Sequence, residues 1–322
     1  MKLKILSRIA AMIIIMGFAV TLSAQTEAEA VDALKDGVAK SQAKDYLGAI
    51  ASFEKCVSIY DELDLTNSEN RATAATQIPK MQYKHALGFY KEKKYDESIA
   101  AFEKLIEYSE TYNDPDNAKK AKLVIPQLYY FKGKTFAESD NFTEAIENYE
   151  KAIELKSNYF DPFFRLAGIY SDQKNDELFA VNVKKAIEVT TKADKKDAAN
   201  SLAIKYYNNM GVEALNKKNY DAALGYFNTL MEYKKADEDI YYQLAVIYNK
   251  QSNWNAAIES ANKALELMGE VETKDAKIHF ELGNSYYGKG DNAAACEAYK
   301  NAAKGDYEAS AKYQIETVLK CQ

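Results

Sequence analysis

Residues 241–264 read YYQLAVIYNKQSNWNAAIESANKA, and this stretch decides the fold. Apolar side chains recur three and four residues apart, first around Leu244 and Tyr248 and again after Ala257. That spacing is typical of amphipathic α-helices. Asn253 stands between the two runs, where its side-chain oxygen can accept from the free backbone N–H groups that begin a helix. The stretch therefore predicts a helix, a short polar turn and a second helix.

The same arrangement recurs seven times. Each first helix carries a small residue at one position, and these are Gly37, Ala86, Gly133, Ala167, Gly211, Ala245 and Gly283. Each second helix carries a mostly small residue at the matching position, namely Ala49, Ser98, Ala145, Phe179, Ala223, Ala257 and Ala295. Capping side chains are predicted before five of the second helices, at Asp45, Asn141, Asn219, Asn253 and Asp291. Small residues let the paired backbones approach, and large aromatic residues fill the space around them.

This pattern resembles the tetratricopeptide repeat, a helix–turn–helix unit of about 34 residues. The resemblance covers roughly residues 28–305. It implies an all-α fold, a right-handed superhelical solenoid of about seven repeats. Neighbouring repeats would share one continuous core, since a single repeat cannot bury its own apolar face.

Polar inserts separate several repeats and predict lengthened helices joined by solvated loops. The inserts are Tyr60–Gln77, Ser109–Val124, Thr190–Leu202 and Met268–Lys274. After the seventh repeat, apolar residues at helical spacing predict one closing helix over 307–319. The predicted organisation is thus a leader (1–24), the repeat array (25–306) and a closing helix with a tail (307–322).

The first 24 residues are expected to be a signal peptide. A basic start with Lys2, Lys4 and Arg8 precedes an apolar run, and cleavage is predicted after Ala24. The sequence Leu-Ser-Ala-Gln at this point resembles the leader ends of exported proteins of Bacteroidota. We therefore expect an exported, periplasmic protein, the alternative being an uncleaved segment that anchors the chain in the membrane. No membrane span is predicted in the mature chain.

Composition and charge narrow the class of function. Lys and Arg total 42 against 48 Asp and Glu, a net charge of −6, and this balance argues against a general nucleic-acid binder. The chain has an odd number of cysteines, three in all. We expect Cys56 and Cys296 to be buried as small apolar residues, leave Cys321 unplaced, and keep a Cys296–Cys321 bridge as the alternative.

Signals for catalysis are weak. The two histidines, His85 and His279, both lie inside first helices, and we interpret them as partly buried packing residues. His279 and Cys296 fall in one repeat, but no third residue that would orient them is indicated. The sequence shows no metal-binding pattern and no phosphate-binding glycine loop. We therefore expect no enzyme, no cofactor and no metal.

The resemblance places the binding surface on the first helices, which line a concave groove in tetratricopeptide arrays. The predicted groove residues are the aromatic Tyr130, Phe164, Tyr242 and Phe280 with the polar Lys134, Asn208 and Asn284. Family members that clamp a C-terminal carboxylate carry Lys where this chain has mostly aromatic residues, so that subtype is not expected. An aromatic strip suits an extended peptide, an apolar helix or a sugar. Packing of the rings against one another between repeats is an equal alternative.

Three functions compete on these features. The first is a non-catalytic scaffold that mediates protein–protein interactions in the cell envelope through its concave groove, with a protein or peptide partner. The alternative is a peptide- or glycan-binding module that uses the aromatic strip. An enzyme would require a buried cluster of His, Cys and acidic side chains.

Overall fold

The computed structural model describes residues 26–268 and 275–322, which form 15 α-helices and no β-strand. The predicted all-α class, built from repeated helix pairs, is confirmed. In chain order the helices are α1 (26–42), α2 (Tyr46–Glu62), α3 (Glu69–Lys91), α4 (Tyr95–Thr111), α5 (Pro115–Ala137), α6 (Phe142–Leu155), α7 (Phe160–Asp172), α8 (Asp176–Val189), α9 (Ala193–Asn216), α10 (Tyr220–Tyr233), α11 (Glu238–Lys250), α12 (Trp254–Met268), α13 (Ala276–Lys289), α14 (Asn292–Ala302) and α15 (Glu308–Tyr313).

The described residues form two compact units, and the chain passes from the first to the second between Leu166 and Ala167, within α7. The predicted leader lies outside the described residues, as do residues 269–274 of the fourth insert. Three inserts extend the first helix that follows them, because α3, α5 and α9 run for 23, 23 and 24 residues.

The core of the first unit is shared between successive helix pairs. Phe53 and Cys56 of α2 belong to the same buried cluster as Ile78 and Met81 of α3, which opens the next pair. A second cluster joins α3, α4 and α5 around the fully buried Leu105. Each pair thus buries part of its apolar surface against its neighbour, as expected for stacked repeats.

The second unit repeats this arrangement. Ala245 of α11, Ala261 of α12 and Ile278 of α13 meet in one buried cluster. Nearer its start, the carboxylate of Asp176 on α8 accepts from the hydroxyls of Tyr206 on α9 and Tyr226 on α10. Apolar packing and these hydrogen bonds together hold consecutive helices of the unit.

The turns within the seven pairs share one backbone conformation. Two residues before each second helix begins, the chain adopts a positive φ, at Lys44, Lys93, Asp140, Lys174, Lys218, Ser252 and Gly290. Asp45, Asn219 and Asp291 then cap the second helices as predicted, each accepting from the backbone N–H three residues on. The predicted cap at Asn141 is wrong, because its side chain accepts no such bond.

The C-terminal end differs from the single helix predicted over 307–319. A 3₁₀ turn (Gly305–Tyr307) leads into α15, which continues as a π-helical turn (Gln314–Val318). Cys321 then forms a disulfide with Cys296 of α14, with their Cα atoms 5.8 Å apart. The expectation of a free buried Cys296 is therefore wrong, whereas Cys56 is a free and fully buried thiol.

Candidate functional site

In the first unit, Tyr130 on α5 is half-buried at the centre of an aromatic cluster. Its ring centroid lies 5.8 Å from that of Tyr149 on α6 and 5.6 Å from that of Tyr159, which precedes α7. Burial raises the pKa of Tyr149 to about 12, and it also raises the pKa of Tyr159. These phenols therefore stay protonated near neutral pH.

Arg165 brings a positive charge to this cluster. Its interaction with the Tyr130 hydroxyl is the main reason why the pKa of Arg165 is raised. The Tyr149 hydroxyl is buried and has no hydrogen-bond partner among the described residues. The first unit thus places the cation of Arg165 on α7 close to the phenol of Tyr130 on α5, the preceding first helix.

The other two predicted groove residues of this unit, Phe164 and Lys134, are less available to a ligand. Phe164 stacks on Phe160 with ring centroids 5.4 Å apart, so part of its ring serves packing. Lys134 is paired with Glu138 on the same helix, at 3.6 Å between charged atoms.

In the second unit, the exposed Asn208 lines a cavity of about 500 Å³ between α9, α10 and α11. Lys205, Asn209 and Gln243 also line it, as does an ion pair between Lys234 and Asp237. Asn208, Asn209 and Gln243 have no side-chain hydrogen bond among the described residues. This cavity is lined by amides of two consecutive first helices, α9 and α11, that make no side-chain hydrogen bond within the described residues.

Three predicted groove residues of the second unit are engaged within the chain. Burial and the nearby Tyr307 raise the pKa of Tyr242, and the Lys277 ammonium lies 4.6 Å from the Tyr242 ring centroid. Phe280 also packs on Tyr307, with ring centroids 5.3 Å apart. The C-terminal 3₁₀ turn therefore covers part of the predicted aromatic strip.

Asn284 is the third of these residues. Its carbonyl oxygen accepts from the Tyr299 hydroxyl at 2.8 Å, and its amide nitrogen donates to Glu281 at 3.2 Å. Asn208 is therefore the polar groove residue with the most free hydrogen-bonding capacity.

The candidate catalytic residues are used structurally. The His85 ring packs edge-on against Phe89 at 4.8 Å, and burial lowers its pKa. His279 faces Asp275 at 3.5 Å. Cys296 is bonded to Cys321, so it offers no thiolate to pair with His279. In the part of the chain that the structure describes, no group of three or more ligand-type side chains is placed to hold a metal ion.

Sequence reasoning missed Arg165 and the buried Tyr149 hydroxyl. A signal was available, because arginine is rare in this chain and occurs only at Arg8, Arg71 and Arg165. Arg71 is paired with Asp61. Because Arg165 directly follows the predicted groove residue Phe164, its rarity was a sequence signal for a charged group near the groove.

Comparison with protein families identifies the repeats. Residues 133–174 match a family model described as TPR repeat, and residues 81–109, 208–269 and 276–306 match models described as tetratricopeptide repeat. The matched segments together span about half of the chain. They support the assignment as a scaffold for protein interactions. No curated protein matches the chain.

Several solved structures are similar in part. The C-terminal part of a TPR repeat-containing protein from Cytophaga hutchinsonii is 20% identical, covers 86% of this chain and 98% of its own, and has a TM-score of 0.38. A tetratricopeptide repeat protein from Parabacteroides merdae is 14% identical over 91% and 98%, with a TM-score of 0.29. YrrB, described as a TPR protein with an unusual peptide-binding site, is 16% identical over 60% and 88%, with a TM-score of 0.33.

Proposed function

We propose that this chain, which carries tetratricopeptide repeats, is a non-catalytic scaffold that binds protein or peptide partners in the cell envelope. Binding would take place on the first-helix faces that form the groove of each unit. The partner would be an extended segment, because stacked first helices present a row of side chains along one direction.

The observation that carries this proposal is the cavity between α9, α10 and α11. Asn208 and Gln243 project from consecutive first helices, and both amides are unpaired among the described residues. A primary amide has donors and an acceptor, so it can pair with both the N–H and the C=O of an extended peptide. The alternative of a sugar on the aromatic strip has less support, because Tyr130 and Phe280 already contact other rings and the Lys277 ammonium lies over the Tyr242 ring.

Two observations support export to the envelope. The N-terminal 24 residues have the pattern of a cleaved leader, with an end that resembles those of exported Bacteroidota proteins. The Cys296–Cys321 disulfide is of the kind that persists in oxidising compartments and is rare in the cytosol. In the described residues, no helix combines the length and apolarity that crossing a membrane requires.

Partner capture from native envelope extract, with the bound proteins identified by mass spectrometry, tests whether the groove binds the partner. The double variant Asn208→Ala with Gln243→Ala removes the free amides of the cavity. The matched control, Glu147→Ala with Glu259→Ala, removes two exposed carboxylates of second helices. We expect the first variant to lose about tenfold or more in partner affinity, as for two lost hydrogen bonds, and the second to bind as the unmodified protein does.

Circular dichroism should first show both double variants to be folded. Capture that survives the cavity substitutions and fails with the second-helix substitutions would place the binding surface on the outer face and contradict the proposal.

A further inference from the structure

We propose that a second cavity of the second unit, between the second helices α10 and α12, binds a neutral saccharide. This cavity has a volume of about 660 Å³, which is within the usual range for small-molecule sites. Asn228 and Met231 line it from α10, and one side of α11 lies between the two second helices. The site is separate from the aromatic strip and from the Asn208 cavity, so the inference goes beyond the proposed function and does not rest on it.

Regular helical spacing builds the wall of the cavity. Tyr241, Leu244 and Tyr248 are three and four residues apart, so they share one side of α11. Ser260 and Lys263 are three residues apart on α12 and line the cavity from the opposite side. Both tyrosines are half-buried. The wall therefore combines apolar ring surface with phenolic hydroxyls.

Ser260 is the residue that points to a ligand. It is only 7% exposed, and it lines the cavity. Its hydroxyl makes no hydrogen bond among the described residues, not even to the carbonyl four residues earlier that helical serines often use. The Ser109 hydroxyl is also unpaired but is enclosed by protein, whereas that of Ser260 is accessible from the cavity. Because buried hydroxyls nearly always have a partner, the partner of this one is expected to come from the occupant of the cavity.

Other polar groups of the wall also have free hydrogen-bonding capacity. The side chains of Tyr241, Tyr248, Asn228 and Asn262 line the cavity and make no hydrogen bond within the described part of the chain. Hydroxyls and primary amides both donate and accept hydrogen bonds. Sugar hydroxyls do the same, so they can pair with these groups in either direction. The wall thus matches a ligand that is rich in hydroxyl groups.

The charges and the apolar residues of the wall favour a neutral saccharide over an ion. The Lys263 ammonium lies 2.8 Å from the Glu266 carboxylate, so its charge is already compensated. Glu259 adds a carboxylate without an ion pair among the described residues, and this charge repels an anionic ligand. Glu259 is exposed to water and therefore does not require a bound cation. Leu244 and Met231 offer apolar contact to the C–H face of a sugar ring.

A nuclear magnetic resonance titration of the protein, labelled with ¹⁵N at asparagine, tests the site. The probes are three neutral disaccharides, namely cellobiose, maltose and N,N′-diacetylchitobiose, and the neutral peptide acetyl-Gly-Gly-Gly-amide. We expect at least one disaccharide to shift the side-chain amide signals of Asn228 and Asn262 in a saturable way. The signals of Asn208 and Asn209, in the other cavity, should stay in place. The peptide should leave Asn228 and Asn262 unshifted.

Two variants assign the binding to the cavity. Asn262→Ala should weaken saccharide binding about two- to tenfold, as for one lost hydrogen bond. Asn255→Ala is the matched control, because it removes the same group from an exposed position of α12 outside the cavity, and it should bind as the unmodified protein does. Ser260→Ala should weaken binding by a similar factor and yet leave the melting temperature unchanged or higher, because it deletes a buried hydroxyl that is unpaired in the free protein. A purely structural role of Ser260 would change the melting temperature without changing the affinity.

The absence of a saturable shift at Asn228 and Asn262 with all three disaccharides would overturn the proposal. Shifts of these two signals by the peptide alone would also overturn it, and so would equal losses of affinity in Asn255→Ala and Asn262→Ala. Partner capture through Asn208 and Gln243 is a separate measurement on another cavity. The failure of this site is therefore distinguishable from the failure of the scaffold function.

Discussion

At the residue scale, glycines set how closely the paired helices approach. A Cβ added at the first-helix glycine of four repeats would meet an aromatic ring of the second helix. The ring atoms would lie 2.6 Å away for Gly37 with Phe53, 2.9 Å for Gly133 with Tyr149, 3.0 Å for Gly211 with Phe227 and 2.7 Å for Gly283 with Tyr299. At Gly133 the added carbon would also lie 3.0 Å from the Ala145 carbonyl oxygen, which is backbone and cannot turn aside.

Gly133→Ala should therefore destabilise the protein by about 1–3 kcal/mol, as overpacking of a filled core does. Gly88→Ala is the matched control, because it lies in a first helix of the same unit and an added Cβ there would meet nothing within 4 Å. We expect that control to stabilise the protein by about 0.5–1 kcal/mol, since alanine restricts the unfolded chain. Urea unfolding of both variants measures the difference, and equal effects would show that the helix contact does not depend on Gly133.

The sequence was sufficient to predict these small residues and insufficient to predict the Tyr130–Tyr149–Arg165 cluster. Small residues recur at the same position of each repeat, so the repetition in the sequence is enough to identify them. The cluster draws one side chain from each of α5, α6 and α7, and its distinctive feature is an unpaired hydroxyl, which only the three-dimensional arrangement shows. Similarly, sequence reasoning placed Tyr242 and Phe280 in a groove but had no sign that Tyr307 covers them.

At the scale of the element, the turn within each helix pair is the most regular feature. In the sixth pair Ser252 adopts φ 58°, and in the seventh Gly290 adopts φ 88°. The next residue in each turn donates its N–H to a carbonyl near the end of the first helix, Asn253 to Tyr248 at 2.8 Å and Asp291 to Tyr286 at 2.9 Å. The left-handed residue closes the first helix and allows the second to begin at once. Capping residues predicted this turn, although Asn141 shows that residue type alone does not ensure a capping bond.

Exchanging the residue types at Ser252 and Gly290 tests how much a side chain in the left-handed turn position lowers the free energy of unfolding. Ser252→Gly should stabilise the protein by about 1 kcal/mol, because a side chain in the left-handed region crowds the following carbonyl and glycine does not. Gly290→Ser should destabilise it by a similar amount. Thermal unfolding followed by circular dichroism at 222 nm measures both. Shifts of the same sign for the two variants would contradict the role of the left-handed residue.

At the scale of the whole molecule, the end of the array is fastened covalently. Cys321 is bonded to Cys296 of α14, and the Lys300 ammonium donates to the Gln322 carbonyl at 3.0 Å. Lys304 is paired with Asp275 at 2.7 Å, so the residues just before the 3₁₀ turn are fixed as well. The odd cysteine count did not predict this disulfide, because the sequence alone does not say which of the three thiols stays free. Cys56 is the free one since it lies fully buried in the core of α1, α2 and α3.

The disulfide should stabilise the last repeat rather than the whole chain evenly, because contacts in a repeat array are made between neighbours. It closes a loop over a sequence separation of 25 residues. Cross-linking a loop of that length is worth about 3.5 kcal/mol in the chain-entropy account. Cys321→Ser should therefore speed amide hydrogen exchange in α13 and α14 and free Tyr307 from Tyr242 and Phe280. Exchange in α2 and α3 should not change.

A reducing agent supplies the control for this prediction. It should accelerate exchange in α13 and α14 of the unmodified protein and have no further effect on Cys321→Ser, because that variant has no disulfide to lose. Faster exchange throughout the chain in the variant would mean that the substitution acts on global stability. Unchanged exchange in α13 and α14 would mean that the noncovalent contacts of Tyr307 and Lys304 hold the C-terminal end without help from the disulfide.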